Sequence, residues 1–509
     1  MMNYSKKSFE SILFPILFFG VVIFYLQLLT GLWLITPDSA DYLEGARSIA
    51  QGKGYVDAQG RFLSFFPPGT SLIYSLAALF PRDDYYQFNA LTLAFTLGFF
   101  FVSYLFIKKR YGVSLALVSL FFLTFSCIVI NQSVFVLSDF LFSFFFMLTV
   151  YLFPAEKLEG LKIQQVLGLG ILTVVCYYLR TAGLFIFLGY FFYLVLLTKK
   201  HRVRTLSLYS LIFLASFFLL RIRNSKAETP FSYFDLLFLK KAWFADSGTA
   251  GISDLAERFG NNLIRIFGDF NFLFSNQSAA NISGILLIGL MTAGVISSLR
   301  DKRFRLYLLF AAFHFMQLFI AIEDFSIRHM IPLIPFSLIF VFEGLNRLFI
   351  LIRIPPKNIS LAVIFTVILF LNKYPLHGYS NAQTIRKSIS RSVPNHILYF
   401  GYKDFYELIQ ANNVNVKKGD IIVTRHKKIV KYFVPEVAKV RNFLLTVDEE
   451  KLYADLIKRE ADYLYMDKKR NFLFSSLMGV IHKHKSDFVL ISENKNAVIY
   501  QTRFFHEKT

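Results

Sequence analysis

Two cysteines in 509 residues, Cys127 and Cys176, leave no material for a disulfide framework or a cysteine-rich metal centre. Both lie inside apolar segments, where a thiol behaves as a small buried hydrophobe. Charge is scarce too: Asp, Glu, Lys and Arg make up 17% of the chain, against 55% hydrophobic and 18% aromatic residues. A water-soluble globule of this length needs more polar surface than that. Acid is the rarer sign, with 34 Asp and Glu against 55 Lys and Arg, for a net charge of +21. The chain also carries no internal repeat and no low-complexity stretch, and its region after 375 has no Gly-rich phosphate loop, nucleophile elbow or metal-ligand spacing.

What the chain has in quantity is phenylalanine, 62 residues, much of it in runs such as Phe99-Phe100-Phe101 and Phe144-Phe145-Phe146. Runs that are apolar all round suit lipid rather than a half-wet surface helix. The expected class is a polytopic α-helical membrane protein. A requirement of ~19–20 apolar residues per span predicts about eleven of them. They centre on 12–35, 88–107, 113–130, 137–153, 164–179, 181–198, 205–222, 282–299, 304–322, 330–352 and 358–373. The first is too long for a signal-peptide core and reads as uncleaved. The apolar stretch 70–80 is too short to cross and reads as an interfacial or re-entrant helix.

The basic residues test the topology. With the N-terminus inside, the inner loops hold Lys108-Lys109-Arg110, 157–162, Lys199-Lys200-His201-Arg202, 300–303 and 353–357, all basic. The positive charge therefore reads as orientation and lipid attraction, and no nucleic-acid partner is expected. Membrane lipids are. From 375 onward long apolar runs stop, and short strand-like and amphipathic helical segments alternate. Two domains are expected: a membrane domain over 1–374 and a small extracytoplasmic α/β domain over 375–509. Within the latter, Thr424-Arg425-His426-Lys427-Lys428 reads as a solvated or lipid-facing basic patch.

On the outer side the polar residues converge from many spans, which is how a shared site looks. The most concentrated stretch is Thr36-Pro37-Asp38-Ser39-Ala40-Asp41-Tyr42, directly after the first apolar run. Thr36 or Asp38 suits a helix cap and Pro37 an early helical position. Asp38, Tyr42 and Gly45 then share one face. A carboxylate at the interface beside another carboxylate is a candidate general base; a plain capping acid is the alternative. Arg180, Arg221, Arg223 and Arg328 sit at outer helix ends, where a guanidinium snorkels or meets lipid headgroups unless a site employs it. Glu323 and Asp324 are placed to orient Arg328 or to form a loop salt bridge.

The run from Asp38 through Gly52-Lys53-Gly54-Tyr55 resembles the first outer loop of the GT-C glycosyltransferases. These polyprenyl-phosphate-sugar-dependent enzymes include protein O-mannosyltransferases and lipid A aminoarabinose transferases. Pro67-Pro68, Phe88-Asn89, Ser138-Asp139, Leu179-Arg180-Thr181-Ala182-Gly183 and Arg328 to Pro335 echo the family in order and side, over roughly 10–350. The resemblance implies transfer of a sugar from a polyprenyl-phosphate donor to a lipid, glycan or protein acceptor. It assigns the catalytic role to Asp38 and substrate contacts to Asp41, Tyr42, Tyr55 and the Arg and acidic residues above. Two positions depart from the pattern: Ser39 follows the first acid where a second acid is common, and Phe66 stands where some relatives carry a basic residue. The expected reaction needs no metal and no cofactor, and the expected location is a bacterial plasma (inner) membrane. A transporter or lipid flippase, or a polysaccharide polymerase or ligase using the long loop 221–281, are the competing readings.

Overall fold

A computed structural model describes the 509-residue chain apart from 1, 31–35, 58–59, 81–84, 198–201, 228–237, 242–243, 278–281, 321–326, 354–357, 391–402, 413–415, 418, 425–429, 431–438, 442–447, 469–470, 496 and 505–509. The chain divides into two units. The first comprises Met1–Trp33, Tyr42–Leu237 and Ile252–Lys387; the second comprises Leu34–Asp41, Phe238–Gly251 and Ser388–Thr509. The expected division at 374/375 differs from this one in two ways. A helix over Tyr374–Ser390 runs through the expected boundary, and two short pieces of the second unit come from far earlier in the chain. Composition marks where apolar runs end, whereas a helical hydrogen-bond ladder continues regardless of polarity.

The first unit is built of helices: α1 Met2–Leu26, α2 Pro37–Ala50 (shared with the second unit at its start), α3 Gly69–Ala78, α4 Tyr86–Tyr111, α5 Val113–Phe125, α6 Cys127–Ser133, α7 Asp139–Leu152, α8 Ile163–Leu179, α9 Gly183–Leu197 and α10 Arg202–Asn224. They continue with α11 Ile252–Ser275, α12 Ile282–Ser298, α13 Lys302–Ile320, α14 Ile334–Leu351, α15 Asn358–Leu371 and α16 Tyr374–Ser390. Among the described residues three stretches are long and apolar enough to cross a membrane: Tyr86–Tyr111, Val203–Asn224 and Ile327–Leu351. Two bent pairs, α5 with α6 at 60° and Ser360–Leu371 with Tyr374–Lys387 at 56°, raise this to five if each pair crosses as one. The other expected segments coincide with shorter apolar helices such as Ile12–Leu26, Asp139–Leu152 and Phe304–Met316.

One residue repairs the first bend and ties it to the second. At the first break Ser126 is extended, which frees backbone groups that lipid cannot satisfy. Asn276 supplies them: its Oδ1 accepts from the Cys127 amide at 2.9 Å and its Nδ2 donates to the Phe125 carbonyl at 2.8 Å. The same Nδ2 reaches the Tyr374 carbonyl of the second break at 3.2 Å. Asn276 itself has φ +55°, a left-handed conformation that Asn tolerates better than most residues. Elsewhere close packing depends on glycine: a Cβ on Gly294 of α12 would run into the Phe340 carbonyl, and one on Gly344 of α14 into that of Leu290.

The second unit holds the antiparallel pair β1 Leu239–Lys241 and β2 Phe244–Thr249. It also holds a mixed five-stranded sheet made of β3 Ile421–Thr424, β4 Lys439–Arg441, β5 Tyr463–Asp467, β6 Phe488–Glu493 and β7 Ala497–Thr502, in the order β4-β3-β5-β7-β6. β3, β4 and β5 run parallel, and β7 pairs antiparallel with β5 and β6. Helices Lys403–Asn412 (α17), Glu449–Lys458 (α18) and Asn471–Lys483 (α19) complete it. Leu452, Leu456, Leu477, Val480 and Ile481 close over Val423, Leu464, Met466 and Val498 to form its core. The basic patch expected over 424–428 lies outside the described residues except for Thr424, which ends β3 fully buried.

Candidate active site

Helix α2 begins as its sequence dictates. The Thr36 hydroxyl accepts from the Ser39 amide at 3.1 Å, Pro37 fills the first helical position, and Asp38 lies in the first turn. Asp38 and Asp41 are both partly buried. Tyr42, one turn on from Asp38, is 3% exposed and donates to the Ser138 hydroxyl at 3.1 Å. Its carbonyl accepts from Ser71 of α3 at 3.0 Å. A Cβ on Gly45 would lie 2.5 Å from the Tyr55 ring and 2.8 Å from the Ser71 hydroxyl, so this glycine is what lets Tyr55 fold against α2. Burial, followed by the nearby Tyr42, pushes the Tyr55 phenol well above its ordinary range. It stays a neutral donor, bonded to the Phe66 carbonyl at 3.3 Å.

Asp139, next to Ser138, opens α7 and is 2% exposed. The neighbouring backbone is held from two sides, by Tyr42 on Ser138 and by Tyr74, whose phenol donates to the Leu137 carbonyl at 3.0 Å. Asp139 Oδ1 is ion-paired to Arg180 Nη1, while its Oδ2 is buried with no hydrogen-bond partner among the described residues. Arg180 stands in extended backbone between α8 and α9. Gly183 permits that tight turn, because a Cβ there would strike the Cys176 and Tyr177 backbone. The α8 end is tied down in turn by Thr70, whose hydroxyl donates to the Leu179 carbonyl at 3.0 Å.

Arg328 and His329 lie in the 3-10 turn Ile327–Leu333, which packs against α6 and α7. His314 Nε2 donates to the His329 carbonyl at 2.8 Å, and Arg180 is within electrostatic reach of both histidines. Arg328 is within reach of His329 as well. Asp139, Arg180, Arg328, His314 and His329 therefore gather from separate elements of the first unit. Glu323 and Asp324 fall outside the described residues.

The two α10 arginines separate in role. Arg223 Nη2 donates to the Tyr55 carbonyl at 2.5 Å and its Nη1 to the Leu63 carbonyl at 2.8 Å, with the guanidinium over the Tyr55 and Phe62 rings. It clamps the loop between α2 and α3. Arg221 instead lines an open cleft with Ser64, Phe65, Pro67, Tyr177, Thr181, Leu184, Phe217, Leu220 and Asn224. The walls are apolar and aromatic, and Thr181 directly follows Arg180. Such a cleft suits a molecule with a hydrocarbon body and an anionic end. Asp139 is the site residue that sequence reasoning left unassigned. Its signal was present, since an acid at the mouth of an apolar span is costly unless paired, but its partner is 41 positions away.

No protein-family profile matches the chain, and no curated protein matches it by sequence. Solved structures do match it by fold. ArnT from Cupriavidus metallidurans in the apo state aligns over 96% of this chain and 97% of that chain, at 12% identity and a TM-score of 0.53. The same protein bound to undecaprenyl phosphate aligns over 96% and 97%, at 13% identity and a TM-score of 0.50. The oligosaccharyltransferase AglB from Archaeoglobus fulgidus, in complex with an inhibitory peptide and a dolichol-phosphate, aligns over 90% of this chain and 70% of that chain, at 11% identity and a TM-score of 0.54. The helical fold with a small sheet unit is thus similar to that of these solved structures, as the resemblance led one to expect, while the expected count of eleven spans is not fixed by them.

Proposed function

We propose that this chain is a membrane glycosyltransferase that takes a sugar from a polyprenyl-phosphate donor and passes it to an acceptor at the extracytoplasmic face. The observation that carries the reading is the aromatic cleft rimmed by Arg221 and adjoining Arg180, on a fold whose other members hold undecaprenyl phosphate and dolichol-phosphate. The polyprenyl chain occupies the apolar walls, and its phosphate meets the guanidinium groups. Arg180 and Arg328 are the further candidates for that charge, with Asp139 holding Arg180 in orientation.

An acceptor hydroxyl or amine attacks the sugar's C1, the bond from C1 to the phosphate oxygen breaks, and polyprenyl phosphate departs as the anion. Asp38 takes the acceptor's proton. The arginines stabilise the negative charge that grows on the leaving oxygen. Attack opposite the leaving group inverts the configuration at C1. In this reading α2 and the second unit face the extracytoplasmic side of a bacterial inner membrane, a placement that the basic loops expected on the inner side support. Purified Asp38→Asn is expected to fold as the parent does and to lose about 10²- to 10⁴-fold in sugar transfer. Turnover equal to the parent enzyme would remove Asp38 from the base role. A reporter fused after Lys495 is expected to read outside.

A further inference from the structure

Helix α11 is 24 residues long, about 36 Å, which is enough to cross a membrane, yet it does not qualify as a span. Its residues divide around the helix into an apolar face and a polar one, and the apolar face is buried only toward its C-terminal half. Asn262, Ile266, Phe270 and Phe274 are buried against the protein, with the Phe270 ring 5.9 Å from that of Phe315 in α13. Asp254, Glu257, Asn261, Arg265 and Asp269 form a polar arc. Towards the N-terminal end the apolar side of the helix is exposed instead: Ile252 at 88% exposure, Phe259 at 47%, Leu263 at 37%, Ile264 at 75% and Phe267 at 56%. Spacings near three and four residues keep that exposed stretch on one side of the helix from Ile252 to Phe267.

We propose that α11 lies flat in the membrane interface, with this apolar arc sunk into lipid and its polar arc in water. The occupant is the bilayer because the exposed stretch leads into an apolar helix whose own first turns are exposed. After the Ser275–Asn276 corner, α12 starts with Ile282, Ile285 and Leu286 exposed at 88%, 58% and 48%. That corner is rigid. The Ser275 hydroxyl donates to the Asn271 carbonyl at 2.6 Å, and Asn276 is held by the two helix breaks described above. A helix lying flat satisfies both exposed arcs at once, whereas a crossing helix would place Asp254, Glu257, Arg265 and Asp269 in hydrocarbon.

The test uses the full-length protein in lipid nanodiscs, with nitroxides on Phe259→Cys, Ile264→Cys and Phe267→Cys, and on Glu257→Cys and Asn261→Cys as the polar set. Native Cys127 and Cys176 are buried and leave the labels unambiguous. Dissolved oxygen is expected to relax the first set more than a water-soluble nickel chelate does, at a depth of ~5–10 Å below the headgroups, with the reverse order for the second set. Water accessibility on both arcs overturns the proposal. Dipolar broadening between labels at Phe259→Cys also overturns it, because a second copy of the chain would then cover the arc. If a cysteine variant does not fold, Ile264→Trp replaces it: brominated lipid is expected to quench its emission, and an unquenched signal overturns the proposal.

Discussion

The chain pairs a carboxylate with a cation in two contrasting places. Asp139 and Arg180 in the membrane unit have side chains 2% and 20% exposed, while Glu449 and Lys483 in the α/β unit are 32% and 54% exposed. The outer pair forms between two helix ends in water, where screening and side-chain entropy cancel most of the attraction. The inner pair has been taken out of water, so each partner depends on the other. The same chemistry is decoration in one setting and a fixed part of a site in the other. Burial makes the difference, and burial comes from helix packing rather than from either residue.

Breaking that contrast at its strong end gives the largest expected effect on stability. Asp139→Asn leaves Arg180 without its carboxylate and is expected to cost about 3–5 kcal/mol, read as a fall in Tm of the detergent-solubilised protein. An unchanged Tm would show that water already solvates the pair. Asn276→Leu comes next. It strands the Phe125 carbonyl and the Cys127 amide in a buried corner, at about 1–3 kcal/mol for each group, and is expected to loosen both bends in hydrogen exchange.

In the α/β unit the effects are smaller. The Tyr453 phenol donates to Asp487 Oδ2 at 2.6 Å, and burial, then that carboxylate, push its pKa up to about 12. A raised folded-state pKa means this contribution is whole below pH ~10 and is lost as pH climbs toward 12. Chemical denaturation across that window is expected to show a decline that Tyr453→Phe lacks. Glu449→Gln should leave Tm unchanged within error; a clear drop would mean that the exposed pair is less screened than its setting implies.

Much of this was legible in the residues. Thr36 caps α2 and Pro37 opens it, because capping is decided by neighbours within one turn. Apolar runs became apolar helices, and in the last third Asp420–Thr424, Asp448–Glu460 and Asp462–Met466 hold a strand, a helix and a strand near the expected bounds. The amphipathic helix α11 and the β1–β2 pair inside the loop 221–281 were not anticipated. A long stretch whose polar residues are interspersed reads as loop until its 3.6-residue period is counted. Arg221 and Arg223 look alike in the chain, yet one lines the cleft and the other clamps a loop.

Composition and order by themselves determined that this chain is a bundle of apolar helices followed by a small α/β unit, with polar residues at helix ends. Those outcomes depend on free energies summed over local windows: hydrocarbon transfer, helix propensity and capping. Only the tertiary structure decided that Asn276 mends one helix bend and ties it to another, and that Asp139 meets Arg180 across 41 positions. It also decided which of two neighbouring arginines faces the cleft. Each of these depends on where one element packs against another, and no local window of sequence contains that distance.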